Sequence, residues 1–210
     1  MRSFIYTALL VMAAGTRASI GAQSIELGGL FGWYQPLADF RFGSIQSTDL
    51  PASARDLHGI AWGGDARLAL GKRAAVEAIV ESATSTTPGC ACPGGYILPP
   101  TTERVTLAAV EGLYRVPLGG TNEFSFGGGP AMIQHGGDGY GRYGSPKSWG
   151  GVGSVEIGHA VNSHLEAAAR VLGAAYSFRL DFPPQSGPQF DLLVSLGVRW
   201  RFRAGSSNDP

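Results

Sequence analysis

The stretch Phe190–Phe202, FDLLVSLGVRWRF, alternates between apolar and polar positions along its whole length. Its even positions are all apolar, and its odd positions are mostly polar or small: the apolar set is Phe190, Leu192, Val194, Leu196, Val198, Trp200 and Phe202. A period of two over this length is typical of a β-strand with one apolar face and one polar face. The sequence therefore predicts a long strand near the end of the chain.

Seven further segments alternate less cleanly, and with the last one they predict eight strands. They lie at 24–34, 57–70, 74–82, 102–116, 123–133, 149–160 and from 165 onward. The inward and outward faces of the segment 102–116 are not assigned, because the charged Glu111 has odd-numbered parity like the apolar Val105 and Leu107 and would lie on the same face. Long connections (about 35–56, 83–101, 135–148 and 179–189) alternate with short turns near 71–73, 117–122 and 161–163. This alternation is typical of an up-and-down antiparallel barrel with both termini at the short-turn side.

Length and composition limit the class of protein. The chain has 210 residues, which suits one domain with a real core. Lys plus Arg and Asp plus Glu are 16 each, so no basic surface for nucleic acid is expected. Glycine accounts for 32 residues, and its cost inside helices nearly excludes an all-helical fold.

The first 22 residues have the order of a secretory signal peptide. A basic start at Arg2 precedes the apolar run FIYTALLVMAAG and then small residues. We predict cleavage after Ala22, with Ala18 as the alternative. The predicted organisation is a signal peptide at 1–22, a barrel at 23–202 and a short polar tail at 203–210.

Two kinds of eight-stranded barrel fit this pattern: a soluble lipocalin-type carrier with an apolar interior, and an outer-membrane barrel with an apolar exterior. Aromatic residues gather near the strand ends, as expected at the two interfaces of a bilayer. The predicted girdles are Phe31, Trp33, Trp62, Trp149 and Phe190 at the long-loop end, and Phe124, Phe126, Trp200 and Phe202 at the short-turn end. We therefore predict an all-β fold, an eight-stranded up-and-down antiparallel transmembrane β-barrel with four long extracellular loops and three short periplasmic turns.

The stretch Ser195–Phe202, SLGVRWRF, resembles the C-terminal signal read by the barrel-assembly machinery, with Gly197, Trp200 and Phe202 at its fixed positions. With the signal peptide and the loop alternation, residues 24–202 resemble the eight-stranded outer-membrane proteins of the OmpA/OmpX type. The resemblance implies a monomer in the cell outer membrane that contacts outer-membrane lipid and lipopolysaccharide. It implies no cofactor and leaves the extracellular partner unknown.

The polar faces carry charges of both signs that would point into the barrel. The predicted lumen network is Glu26, Asp65, Arg67, Glu77, Glu123, Glu156, Glu166, Arg170 and Arg199. Buried charges must be paired, so we expect these carboxylates and arginines to bind one another. A narrow interior is filled by side chains, which favours a plug over a gate or a proton relay.

Histidine and cysteine give little indication of chemistry. His159 and His164 flank a turn that contains Ser163, but lipid A deacylases of the PagL type carry a His-x-Ser motif on the outward side. No His in this sequence has Ser two residues later, and the chain is short for a ten-stranded omptin protease. Cys90 and Cys92 could form a local disulfide or pair with another chain, and two cysteines are too few for a metal site.

The sequence predicts a structural or surface-interaction protein without catalysis, acting in membrane integrity, adhesion or recognition through its loops. The alternative is a small-solute or hydrophobic-substrate channel of the OmpW sort. A lipid-modifying enzyme and a soluble lipocalin-like carrier are further alternatives.

Overall fold

A computed structural model describes residues 24–37, 41–42, 52–53, 58–87, 101–137, 147–181 and 184–203. The predicted signal peptide, both cysteines and all of the predicted tail after Arg203 lie outside these residues. In the part of the chain that is described, no helix is long and apolar enough to cross a membrane.

Eight long strands and one short ribbon make up the described structure. The strands are β1 Ser24–Pro36, β2 Arg41–Phe42, β3 Ala52–Ser53, β4 Gly59–Ala69, β5 Ala74–Thr87, β6 Thr101–Gly119, β7 Asn122–Gly137, β8 Lys147–Ala160, β9 Leu165–Asp181 and β10 Pro184–Arg203. β2 and β3 pair only with each other, within the connection between β1 and β4.

The eight long strands form a closed barrel in the order β1-β10-β9-β8-β7-β6-β5-β4. Every neighbouring pair is antiparallel, and β1 closes the sheet by pairing with both β4 and β10. Short connections follow β4, β6 and β8; in the last of these, the Val161 amide donates to the Leu165 carbonyl at 2.9 Å. The prediction of an eight-stranded up-and-down barrel is confirmed.

The β9–β10 hairpin extends further than the sequence predicts. Most of the expected loop at 179–189 is paired strand, with Asp181 opposite Pro184 and Tyr176 opposite Gln189. Prolines are unusual in a paired strand, because proline cannot donate a ladder hydrogen bond. Since β1 pairs with β10 only from Asp191 onward, this part of β10 is an edge, where the missing amide proton costs nothing.

Large side chains on the outward face are mostly apolar, whereas most charged side chains within the strands point inward. Leu196 in β10 is 68% exposed, whereas Arg199 in the same strand is 1% exposed. The exterior belt includes Ile25, Leu27, Val80, Val110, Val155, Ile157, Val194 and Val198, all of which are exposed. This distribution is that of a membrane-spanning barrel and the reverse of a soluble lipocalin-type barrel.

The interior has two layers, which the sequence did not predict. Charges fill the half near the short turns, while the half near the long connections is mostly apolar: Leu30, Ile79, Val105, Leu107, Ile133, Leu172, Phe178 and Leu193 are buried there. The charges expected in the lumen therefore fill mainly the half near the short turns. A narrow closed lumen must be filled, and away from the charged layer it packs like an ordinary core. Glu111 shares the inward face with Val105 and Leu107, which resolves the ambiguity in β6.

Candidate functional site

The candidate site is the charged layer of the lumen, and three arginines lie at its centre. Arg67, Arg170 and Arg199 come from β4, β9 and β10, and each occupies an inward position of its strand. Their side chains are at most 1% exposed. A guanidinium carries five N–H donors in a fixed planar array, so it can bind several carboxylates at once.

Arg199 binds carboxylates from three other strands. Its Nε donates to Asp65 Oδ2 at 2.9 Å and its Nη2 donates to the same oxygen at 2.7 Å. Its Nη1 donates to Glu156 Oε1 at 2.6 Å and to Glu166 Oε1 at 3.2 Å, and its Nη2 also contacts Glu156 Oε2. Arg199 thereby ties β10 to β4, β8 and β9 across the interior.

Arg170 and Arg67 complete the centre. Arg170 Nη2 donates to both oxygens of Glu77, at 2.6 and 2.7 Å, and Arg170 Nε donates to Glu156 Oε2 at 3.0 Å. Arg67 Nη2 donates to Glu156 Oε1 at 2.8 Å and to Glu77 Oε1 at 3.2 Å. Three arginines thus face Asp65, Glu77 and Glu156, and this central cluster has no net charge when all six groups are ionised.

A second tier lies toward the short turns. Arg201 bridges two acids, with Nε donating to Glu26 Oε1 at 2.8 Å and Nη2 donating to Glu166 Oε2 at 2.8 Å. Arg115 donates from Nε to Glu123 Oε1 at 2.6 Å and lies 3.6 Å from Glu26. The second tier joins the centre through Glu166, which binds both Arg201 and Arg199, and through Arg67, whose Nη1 is 3.8 Å from Glu26 Oε2.

Of the nine lumen residues named from the sequence, the structure joins eight directly in one cluster, and Glu123 is connected to it at the edge through Arg115. Glu123 contacts Arg115, and its side chain is 23% exposed. Sequence reasoning omitted Arg115 and Arg201 from the network. Arg201 shares the parity of Arg199 and could have been included on that ground, whereas Arg115 lies in the segment whose faces were unassigned.

Two buried glutamates differ from the rest because serine, not arginine, binds them. Ser195 Oγ donates to Glu81 Oε2 at 2.8 Å, and Ser154 Oγ donates to Glu111 Oε2 at 2.7 Å. Their other carboxyl oxygens have no hydrogen-bond partner among the described residues. Glu81 lies four residues along β5 from Glu77, so it reaches into the apolar layer, against Leu107 and Leu193.

A third polar group lies beyond the apolar layer, at the long-connection end. The Tyr176 hydroxyl donates to Asp191 Oδ2 at 2.8 Å, and Gln189 Nε2 donates to Asp191 Oδ1 at 3.0 Å. His135 packs against Phe178, with ring centroids 4.7 Å apart. Tyr176 is buried and thus belongs to the lumen, not to the outward aromatic girdles.

The predicted girdle residues all lie on the outward face. Phe31, Trp33, Trp62, Trp149 and Phe190 are exposed near the long connections; Phe126, Trp200 and Phe202 are exposed near the short turns, and Phe124 is half-buried. Gly197 of the predicted assembly signal points inward next to Leu30. The roles of these residues at lipid interfaces and in assembly remain predictions.

The histidines near the last short turn are bound to other groups. His159 Nδ1 is 2.8 Å from Asn122 Oδ1, and the His164 ring stacks on Trp200 with centroids 6.0 Å apart. Among the described residues, no three side chains of the His, Cys, Asp and Glu types form a group that could hold a metal ion. The charged layer itself is held by the ion pairs of Arg67, Arg170 and Arg199.

Comparison with known proteins identifies the class of fold. No protein-family model matches the sequence, and no curated protein matches it. Neisserial surface protein A is similar in structure, with a TM-score of 0.56, 10% identity, and coverage of 85% of this chain and 96% of that one. A major outer membrane protein from Thermus thermophilus has a TM-score of 0.51 at 14% identity, over 86% of this chain and all (100%) of that one. The outer membrane protein AlkL has a TM-score of 0.50 at 12% identity, over 90% and 93% of the two chains.

Two of these neighbours are named as outer membrane proteins, and identities this low are evidence for the fold alone. The chain has the fold of an eight-stranded outer-membrane β-barrel, as the resemblance to the OmpA/OmpX type implied. Its ion-paired lumen and its outward apolar belt are consistent with that fold.

Proposed function

We propose that this chain is an integral outer-membrane protein with a structural and surface-interaction role, and that it neither conducts solutes nor catalyses a reaction. The observation that carries the proposal is the filled lumen. The ion-paired layer around Arg199 and the apolar layer around Ile133 lie one above the other, and both are buried.

Opening this lumen would require separating several buried ion pairs at once. Arg199, Arg170 and Arg67 each bind carboxylates on at least two other strands, so moving one side chain leaves others unpaired. Removing one partner of a buried pair costs about 3–5 kcal/mol, which opposes a channel of the OmpW sort. The apolar layer adds a second barrier to water and ions.

The exterior supports the proposed location. Exposed Val, Leu and Ile side chains cover the middle of the strands, and a wet surface of this kind would aggregate. In a bilayer the same surface is solvated by acyl chains, and the closed ladder of the eight described strands pairs each one on both sides. The predicted signal peptide and C-terminal assembly signal are consistent with export and insertion as a monomer through the barrel-assembly machinery.

With the lumen filled, recognition of extracellular partners falls to the connections between strands. The connections 88–100 and 138–146 join strands at the long-connection end, which is the extracellular end in this proposal. Surface recognition through such segments requires only that the barrel hold them in place. The chemistry of the extracellular partner is left open.

Conductance tests the proposal directly. Refolded protein in a planar bilayer should give no unitary current, because the ionic and apolar layers block the lumen. A double substitution that removes one charge of each sign, Arg199→Ala with Glu156→Ala, should still give no current, because the apolar layer around Ile133 remains in place. Steady channels in the unaltered protein would contradict the proposal.

A second experiment addresses the surface role. Replacing 88–100 or 138–146 with short Gly-Ser linkers should leave the folded barrel intact and abolish cell attachment or recognition by the expressing bacterium. An equal loss after Lys72→Gln, at the opposite end of the barrel, would contradict a role for these connections.

A further inference from the structure

A recess of about 390 Å³ lies on the outward face of β8, β9 and β10. Its floor is made by Gly151, Gly153, Gly173 and Ala175. The strand register places Gly151 opposite Ala175 and Gly153 opposite Gly173, so these four small residues form one continuous patch.

Larger apolar side chains border this patch. Phe190 and Leu192 of β10, which pair with Ala175 and Gly173, form one wall. Leu37 extends this wall, and its amide donates a 2.7 Å hydrogen bond to the Phe190 carbonyl. Val155 and Val171 follow in the next outward row toward the short turns, and they are paired with each other. The recess is therefore an open apolar groove in the outer half of the barrel wall, with its wall on the β10 side.

Packing does not require glycine at these positions. A Cβ atom at Gly151 or Gly153 would be 3.7 Å from its nearest neighbour, and one at Gly173 would be 3.9 Å away, which are ordinary contacts. By contrast, a Cβ at the inward Gly150 would overlap the carbonyl oxygen of Ala175. Glycine inside a strand lowers its stability. Since packing does not require glycine at these three outward positions, the recess that they create accounts for their presence.

Two cations lie at the extracellular end of the recess. Lys147 and Arg179 are exposed, and both share the outward parity of the floor residues on their strands, β8 and β9. Each lies four residues beyond the floor, Lys147 beyond Gly151 and Arg179 beyond Ala175, which is about 13 Å along a strand. Trp149 lies between Lys147 and the recess and is 69% exposed, as expected for an aromatic residue at a lipid interface.

We propose that the recess binds an acyl chain of a phosphorylated outer-leaflet lipid and that Lys147 and Arg179 bind its phosphate. The inference rests on the proposed outer-membrane location. An apolar groove with cations at the headgroup end matches a lipid with acyl chains and phosphate groups, and lipopolysaccharide combines both. A second copy of this chain fits less well, because it would bring its own Lys147 and Arg179 against the same positive rim.

Filling the recess tests its apolar part. Gly173→Leu places a side chain in the groove at a position where a Cβ is tolerated. The matched control is Gly29→Leu on the outward face of β1, where a Cβ would meet nothing within 4 Å.

Removing the cations tests the polar part of the site. The double variant Lys147→Gln with Arg179→Gln is compared with the double variant Lys72→Gln with Arg73→Gln at the opposite end of the barrel.

The readout is lipid retention, measured by native mass spectrometry on refolded, full-length mature protein in detergent. The probes are bisphosphorylated hexa-acyl lipid A and the same lipid with its phosphates removed. We expect Gly173→Leu to weaken binding of both lipids about tenfold, the equivalent of 1.4 kcal/mol. The Lys147/Arg179 variant should weaken binding of the phosphorylated lipid alone, and both controls should bind like the unaltered protein.

Binding that is unchanged by Gly173→Leu, equally reduced by Gly29→Leu, or undetectable in the unaltered protein would overturn the inference. Each sample is also run unboiled on a denaturing gel. If the barrel is folded but lipid binding does not depend on the recess, the lipid site is refuted and the proposed function is unaffected. If the chain forms no detergent-resistant barrel, the proposed function itself is refuted.

Discussion

Arg199 is the residue on which the lumen depends most, because its guanidinium binds carboxylates of β4, β8 and β9. Arg199→Met should lower the free energy of unfolding by about 3–5 kcal/mol, since it leaves Asp65 and Glu156 with fewer partners in a buried site. Urea unfolding in lipid vesicles, followed by tryptophan fluorescence, measures this loss.

Arg73→Met is the matched control for that substitution. Arg73 lies at the exposed β4–β5 turn, and its described side-chain contact is a 3.3 Å hydrogen bond to the Tyr114 hydroxyl. We expect a change below about 1 kcal/mol. Equal losses for the two arginines would contradict a special role for the buried layer.

Glu81 and Glu156 are both buried carboxyls, but replacing them should have opposite consequences. Glu156 binds all three central arginines, so Glu156→Gln should destabilise the barrel by about 3 kcal/mol or more. Glu81 binds only the Ser195 hydroxyl among the described residues and borders apolar side chains, so Glu81→Gln should be neutral or stabilising. The same unfolding assay decides, and a strong loss for Glu81→Gln would show that its charge is needed.

Residue parity predicted which charges enter the lumen wherever a strand alternates cleanly. Glu156 and Arg170 could be placed in this way, and they are indeed cross-strand neighbours. Parity could not assign partners, because partners such as Arg199 and Asp65 are 134 positions apart in the chain. It also could not place Arg115, because inside a filled barrel apolar and charged residues share one face of β6.

At the scale of the strand, β10 has the clearest division of faces. Leu196 lies near the middle of its outward apolar row, between Phe190 and Phe202, and is 68% exposed. Leu196→Arg should therefore cost about 2–4 kcal/mol in a bilayer, because it places a cation near the midplane. Folding titrations in phospholipid vesicles measure this cost.

The position control for that substitution is Phe202→Arg, at the short-turn end of the same face. There the arginine reaches the headgroups, and the expected cost is only about 0–1 kcal/mol from the charge. If both substitutions cost the same, or if Leu196→Arg is neutral, the outward face of β10 does not lie across a bilayer.

Glycines within the strands divide into two kinds that the sequence alone does not distinguish. A Cβ at the inward Gly63 would overlap the carbonyl oxygen of Val80, whereas a Cβ at the outward Gly29 would meet nothing within 4 Å. Gly63→Val should abolish the folded band on an unboiled gel, and Gly29→Val should keep it. The reverse result would mean that the strands are not packed as described.

Strand boundaries were the weakest part of the sequence prediction. Residues 179–189 were predicted to be a loop, but Pro184 and Pro188 lie in β10, beyond the end of its pairing with β1. A proline in the sequence shows that a backbone hydrogen-bond donor is missing. It does not show whether a neighbouring strand would need that donor. Strand number and order were accessible, because the alternation of long and short connections sets them directly.

For the whole molecule, the sequence predicted closure and the charged layer but not the division of the interior. Which side chains meet in the apolar half depends on the stagger between neighbouring strands around the closed barrel. The sequence of a single strand does not show this stagger. Leu30, Leu172 and Leu193 come from β1, β9 and β10, and only closure brings them into one buried cluster. The central claim is a closed barrel that is apolar outside and ion-paired inside.

Heat modifiability tests that claim most directly. The mature chain is refolded in detergent and run on a denaturing gel with and without boiling. The account predicts a faster-migrating unboiled band that converts to the unfolded position on boiling, with Gly63→Val giving only the slower band. A single unshifted band from the unaltered chain, together with protein that stays soluble without detergent, would contradict it.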